Sequence, residues 1–320
     1  MMAQIRRMSG SRTPRWVLLL SLVAGCEREA SIPAVDSSIP PVPASSDTAT
    51  PASTRTAWDA TLGPVLIVSG DGQNDASVIF PTFSDSTLTD TTTFDMSILS
   101  GMSVDLFSRG GRLGTGRLRA TASRAPDGCV AWPEASIVIT DSVGRSGAWT
   151  VGFVAGRAVA LAVDSLESLS GADSARLTVE VARLASLVPA DTATAFHGIP
   201  FFVRQVWRFR VGSGTDVLIA NVTRRINQEA NPREEHLLFL AERAGTQSGG
   251  RYAPVYHERV SGQEEAIETT DILAALALGA EGTPALVLIR DYGDGSAYAL
   301  LTRSATSGWR VGWSSAYAGC

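Results

Sequence analysis

The stretch Pro284–Ser304, PALVLIRDYGDGSAYALLTRS, decides the fold. Two apolar runs, Ala285–Ile289 and Ala297–Leu301, flank a short centre of Asp, Tyr and Gly. Such a centre suits a tight chain reversal, and the runs on either side are long enough for strands and too short for helices. With Asp294-Gly295 at the turn, the stretch is predicted to be an antiparallel hairpin.

The same grammar extends outward. DVLIANVTRR (216–225) and EEHLLFLAER (234–243) read as strands joined by the polar loop INQEANPR, and DILAALALG (271–279) reads as a further strand, although Asp271 could also cap a short helix. Residues 62–163 show apolar runs broken by turn residues every 8–12 positions: PVLIVSGDGQNDASVIFP, SVDLFSRGGRLGTGRLRA with a turn on Gly110-Gly111, and ASIVITDSVGRSGAWTVGFVAGRAVALAV. Ile199–Val211, IPFFVRQVWRFRV, sets Phe201, Val203, Trp207, Phe209 and Val211 on one face against Arg204, Arg208 and Arg210 on the other. That arginine row is either a ladder for an anionic ligand or a solvated, ion-paired sheet face.

One segment breaks the pattern. DSARLTVEVARLASLVP places Leu177, Val181, Leu184 and Val188 on a single helical stripe, with Asp173 as the cap and Pro189 as the stop. The expectation is a mainly β protein of antiparallel sheets, arranged as a sandwich, barrel or propeller, with one amphipathic helix near 173–188. Two parts are expected: a β-rich domain over 58–165, and a helix followed by a second β-rich domain over 166–320.

Upstream of Trp58 the character changes. Arg6, Arg7, Arg12 and Arg15 precede an apolar block from Trp16 to Gly25, the layout of a secretory signal. A helix rising about 1.5 Å per residue over so short a block covers about half of a hydrocarbon core of roughly 30 Å. Residues 1–25 are therefore read as a signal peptide. Glu27–Ala57 is rich in Ser, Thr, Pro, Ala and Asp, with Ile32, Val35, Ile39 and Val42 as its few large apolar residues, too few to bury a core. Residues 26–57 form the expected disordered tether, spanning roughly 30 Å if flexible and about 95 Å if extended.

Val23-Ala24-Gly25-Cys26 resembles the lipobox of bacterial lipoproteins. The resemblance implies cleavage before Cys26, acylation of that cysteine and attachment to the membrane of the cell envelope. More than one acyl chain makes such an anchor stable. Glu27 stands where the family's sorting rule would place a retention signal such as Asp, which points to the outer rather than the inner membrane in a host with two. Residues 265–313, through DILAALALGAEGTPALVLIRD and GWRVGW, resemble a degenerate repeat of the FG-GAP or VCBS type. In those repeats an Asp-rich loop binds calcium. Glu281-Gly282-Thr283 occupies that loop here, so the resemblance implies a β architecture and a binding role without the calcium ligands.

Composition excludes more than it selects. From Trp58 onward 21 Arg face 28 Asp plus Glu, a net charge of about −7 that argues against nucleic acid as a partner. Lysine is absent from the chain. That absence rules out a Walker A phosphate loop, a Schiff-base lysine, a kinase strand lysine and a Ser-x-x-Lys acylation site. With Cys26 acylated, Cys129 and Cys320 remain as an even pair in an oxidising compartment and are expected to form a disulfide.

Motifs for chemistry are sparse. His197, His236 and His257 are the three histidines, without an HExxH or paired-cysteine pattern, so no metal ligand set and no cofactor is assigned. GRSGA around Ser146 fails the nucleophile-elbow pattern, and GGRLGTG is a hairpin turn rather than a phosphate cradle. Glu264, Glu265, Glu268 and Asp271 could supply a pair of catalytic carboxylates, and Trp132, Trp149, Trp207, Trp309 and Trp313 could stack on sugars, although most should be core.

The reading that follows is a lipid-anchored envelope protein whose folded part is a non-catalytic module for protein or glycan. The alternative is an envelope hydrolase built on His197, His236 or His257 with nearby carboxylates. Two histidines and an acid in one cleft would favour the enzyme; dispersal over separate surfaces would favour binding.

Overall fold

The apolar runs become strands, and the strands form three antiparallel groups. The computed structural model describes residues 58–320 apart from 70–73, 85–87, 89–94, 121–128, 143–147, 190–193, 213, 228–230, 245–249 and 307. The signal peptide, Cys26, the tether and Ser146 lie outside the described residues.

The first group is a closed barrel. Strands β1 (Val65–Val68), β2 (Asp75–Ile79), β3 (Ser103–Ser108), β4 (Gly111–Ala120), β5 (Glu134–Ser142) and β6 (Val151–Val154) pair in the order β1-β2-β5-β4-β3-β6, and β6 returns to β1. Closure leaves no free edge. The wall is tight where β6 crosses β1: a Cβ on Gly152 would lie 3.1 Å from Leu66 and 3.3 Å from Leu106, so a larger residue would have to push those side chains back by a few tenths of an ångström.

After the barrel the chain feeds both remaining sheets within a few residues. Strand β7 (Ala158–Ala160) pairs with β13 (Thr269–Leu278), and β8 (Val163–Ser165) pairs with β9 (Phe202–Val211). One sheet runs β12-β11-β10-β9-β8, with β10 (Thr215–Ile226), β11 (Arg233–Ala244) and β12 (Ala253–Gln263). The other runs β16-β15-β14-β13-β7, with β14 (Thr283–Asp291), β15 (Gly295–Ser304) and β16 (Gly308–Ser314), and β17 (Ala318–Gly319) pairs with one end of β15. The helix α1 (Gly171–Leu187) lies between β8 and β9 in the chain.

Three apolar clusters stack these elements in layers. Ala274, Leu276, Val287 and Leu300 join the barrel residues in the first. Ile272, Leu286, Leu288 and Leu301 meet Trp207, Phe209, Ile219 and Leu240 in the second, between the two sheets. Val181, Leu184 and Ala185 of α1 meet Val206, Leu218, Leu237 and Phe239 in the third. Each sheet is thus covered on both faces, which explains an unbroken run such as Leu237–Ala241: alternate residues enter different cores.

Several local expectations are corrected. The helix is capped by Ser170, not Asp173: the Ser170 Oγ accepts from the Asp173 backbone N–H at 3.3 Å and donates to the Asp173 carboxylate at 2.7 Å. Asp173 is the third residue of the helix. The turn of the Pro284–Ser304 hairpin is Tyr292–Asp294, with Gly293 at φ 85°, rather than Asp294-Gly295. Gly295 serves a different need, since a Cβ there would sit 2.4 Å from the Ala318 carbonyl oxygen. The turn of the β3–β4 hairpin is Arg109-Gly110, and Gly111 already belongs to β4.

The alternation across Ile199–Val211 also breaks. β9 pairs Gln205 with Asn221 and Val203 with Val222, so Arg204 is an extra residue in a bulge. Phe201 and Val203 consequently pack on the helix side while Trp207, Phe209 and Val211 face the other sheet. DILAALALG is the strand β13, as read.

Candidate functional site

The lower end of the β8-β9-β10-β11 sheet carries charged side chains where α1 no longer covers it. Register places them. Asp164 of β8 stands opposite Arg208 of β9, and Arg208 stands opposite Leu218 of β10, which lies in the core under the helix. One rung further on, Arg210, Asp216 and Arg243 stand opposite one another across β9, β10 and β11. Residues directly opposite in an antiparallel sheet share a face. These five charges therefore lie on the helix side of the sheet.

The result is a groove in two connected parts. A cavity of 340 Å³ is lined by Asp164, Arg208, Arg210, Asp216, Arg243 and Tyr252. A second, of 470 Å³, shares Arg208, Arg243 and Tyr252 and is walled by Asp173, Arg176, Leu177 and Glu180 of the helix and by Arg251.

Most of the charges in the groove are already satisfied. Arg210 and Arg243 both donate to Asp216, at 3.0 and 2.8 Å. Arg243 also stacks over the Tyr252 ring, 4.6 Å from its centroid, and Arg176 pairs with Asp173 at 2.5 Å. Burial, with Asp216 nearby, pushes the Tyr252 hydroxyl above its ordinary value even though Arg243 pulls the other way. Three groups differ: among the described residues, Arg208 on the floor, Arg251 on the rim and Asp164 at the end of the groove make no ion pair.

Asp216 holds the floor together, and its behaviour in acid is predictable. Hydrogen bonding from Arg243, reinforced by Arg210, keeps its carboxyl below the usual aspartate range against the opposing effect of burial. Its folded pKa is lower than its unfolded one, near 4. The stability it supplies is therefore complete above about pH 4 and is lost as the pH falls through the folded value. The variant Asp216→Asn is expected to be less stable than the native chain at pH 7, with the difference shrinking as the pH falls below about 4 and vanishing once it is below the folded value. Urea midpoints measured across that range check this; a difference that stays constant would contradict it.

The other sequence candidates do not converge. His197 is exposed after the 3-10 turn Thr194–Phe196, and His257 is exposed on β12. His236 lies opposite Val260 and His257 opposite Phe239, which puts the two on opposite faces of one sheet. His236 contacts Glu234 at 2.7 Å, and Glu234 is also paired with Arg225. The acidic run is drawn apart in the same way. Glu264 pairs with Arg225, Glu268 lies 3.8 Å from Arg290, Asp271 binds Arg109 at 2.8 Å, and Glu265 is exposed. Among the described residues no three His, Cys, Asp or Glu side chains gather as a metal site would require. The five tryptophans considered for stacking are all buried.

Cys129 and Cys320 form a disulfide. Arg208 and Arg210 were visible in the sequence as part of an arginine row, whereas Asp164, Asp216, Arg243 and Tyr252 were not, because only strand register assembles them. No family of known proteins, no curated protein and no solved structure matches the chain.

Proposed function

We propose that this chain is a lipid-anchored protein of the bacterial cell envelope, attached through Cys26 and carrying its folded part on the 26–57 tether. The folded part is a non-catalytic module that holds an envelope partner, protein or glycan, in the groove floored by Arg208. One observation carries the binding reading: an open groove contains a guanidinium, Arg208, that makes no ion pair among the described residues and acts on the Asp173 carboxylate only through space, whereas the histidines and the acidic run are spread over separate elements. A cation without an ion pair gives none up when a ligand arrives. The disulfide fits an oxidising compartment such as the envelope. No helix among the described residues is long and apolar enough to cross a membrane, and the proposed attachment needs none.

The test uses the full chain extracted in detergent and isolated envelope fragments. Arg208→Glu should weaken co-sedimentation by roughly 10-fold or more, because it replaces an attraction by a repulsion. Arg204→Glu, in the bulge of the same strand, should leave it unchanged. Equal retention of both variants with wild type would sink the assignment of the groove.

A further inference from the structure

We propose that the Arg208 groove takes an acidic saccharide: an oxyanion carried on a polyhydroxylated ring. This inference rests on the binding reading above and specifies its ligand.

Three features of the groove point the same way. The first is the pairing of opposites left unsatisfied. Arg208 and Asp164 are cross-strand neighbours on one face, yet neither is ion-paired among the described residues. A bare inorganic anion would gain from Arg208 and be repelled by Asp164. A sugar acid satisfies both, its anionic group accepting from the guanidinium while its hydroxyls donate to the Asp164 carboxylate.

The second feature is length. The two cavities, 340 and 470 Å³, are joined at Arg208, Arg243 and Tyr252, and the second cation, Arg251, stands on the rim of the larger one. That space is far more than one small oxyanion needs and suits a ligand of several rings with repeated charge.

The third feature is the poverty of apolar anchors. Protein interfaces draw their affinity from buried aromatic and aliphatic side chains at the centre of the patch. Here Tyr252 is only 8% exposed and already covered by Arg243, and Leu169 and Leu177 stand at the edge beside charged residues. An acidic peptide would find the charge without the anchor.

The chemistry required is an oxyanion on a sugar, and that oxyanion can be a carboxylate or a phosphate. Calorimetric titration of the detergent-extracted full chain distinguishes them, with oligogalacturonate, glucose 6-phosphate, dextran and inorganic phosphate as separate probes. Binding of oligogalacturonate or glucose 6-phosphate, weakened roughly 10-fold or more by Arg208→Gln and by Asp164→Asn more than by Arg204→Gln, supports the inference and identifies the anion. Arg208→Lys should recover only part of the affinity, since an ammonium cannot reproduce a forked contact. Because Arg208 has no ion pair to lose, its variants are expected to keep the unfolding temperature of the native chain, which separates loss of ligand from loss of fold.

Inorganic phosphate binding as tightly as glucose 6-phosphate would overturn the saccharide assignment. So would dextran binding like the acidic sugars, or none of the probes binding. In that last case Arg208-dependent retention on envelope fragments would leave the binding module standing and remove only its ligand class.

Discussion

Replacing Glu235 by alanine should remove about 3–5 kcal/mol of folding stability, one of the two largest single losses expected anywhere in the chain. Glu235 is 2% exposed and accepts from Arg224 at 2.8 and 3.0 Å, a forked contact, and from Arg259. Both arginines are also tied to backbone: Arg224 donates to the Phe196 carbonyl at 2.7 Å, and Arg259 to that of Pro189 at 3.2 Å, just past the end of α1. Without the carboxylate, two guanidiniums with side chains 10% and 5% exposed would face each other in a site closed to water.

The expected sign reverses if the whole group is replaced. A triple variant with Met, Leu and Met at 224, 235 and 259 is expected to be no less stable than the native chain, because the desolvation of three charges disappears along with their attraction. Urea unfolding of the two variants decides this. A loss below about 1 kcal/mol for Glu235→Ala would mean that the arginines swing out to water and that the site is not closed.

Reduction of the Cys129–Cys320 bridge is the second large effect. The bond spans 191 positions, and the chain-entropy argument gives about 5 kcal/mol for a loop of that size, an upper value because native strain and residual structure subtract from it. The bridge also holds a local assembly. Gly319 exchanges both backbone hydrogen bonds with Val130, at 2.8 and 2.9 Å, and on its other side pairs with Gly295. A Cβ on Gly319 would lie 2.6 Å from the Gly295 Cα, so the last residues reach their place only as a glycine pair. Freed from Cys129, β17 would be a two-residue strand held only by its short pairings with β15 and Val130. The variant Cys320→Ser should unfold about 2–5 kcal/mol more easily than the native chain, and reductant should reproduce the effect. Identical melting with and without reductant would show that the bridge contributes nothing.

Elements with a clean local period were legible in the sequence. The β14–β15 hairpin and the Leu177–Val188 stripe announce themselves because side-chain periods of two and of three to four residues need no tertiary information. What failed was decided by neighbours far away in the chain. The bulge at Arg204 exists because β10 holds Gln205 and Val203 in adjacent pairs, and no alternation of apolar residues in β9 can show that. Gly295 looked like a turn residue because glycine usually is one, but its conformational freedom is used at Gly293 and its small size is used against Ala318.

The site was half legible for the same reason. An arginine row in one strand is visible, but whether each arginine is neutralised depends on partners in β8, β10 and β11. The acidic run from Glu264 to Asp271 looked like a possible catalytic cluster because its members are close in sequence. Folding sends them to Arg225, Arg290 and Arg109, which belong to β10, β14 and the β3–β4 turn of the barrel. Arg109 shows how far that separation goes: it donates to Asp271 and to the Ile272 carbonyl of one sheet while stacking over Trp207 of the other, 4.6 Å from the ring.

The proposed function rests on export and on anchoring at Cys26. Intact mass of the protein taken from its native membrane, recorded with and without reductant, tests that claim most directly. The expected species begins at Cys26, carries the mass of more than one acyl chain, and gains about 2 Da when the single Cys129–Cys320 bridge is reduced. A soluble species with an unmodified Cys26, or one still bearing residues 1–25, would contradict the account.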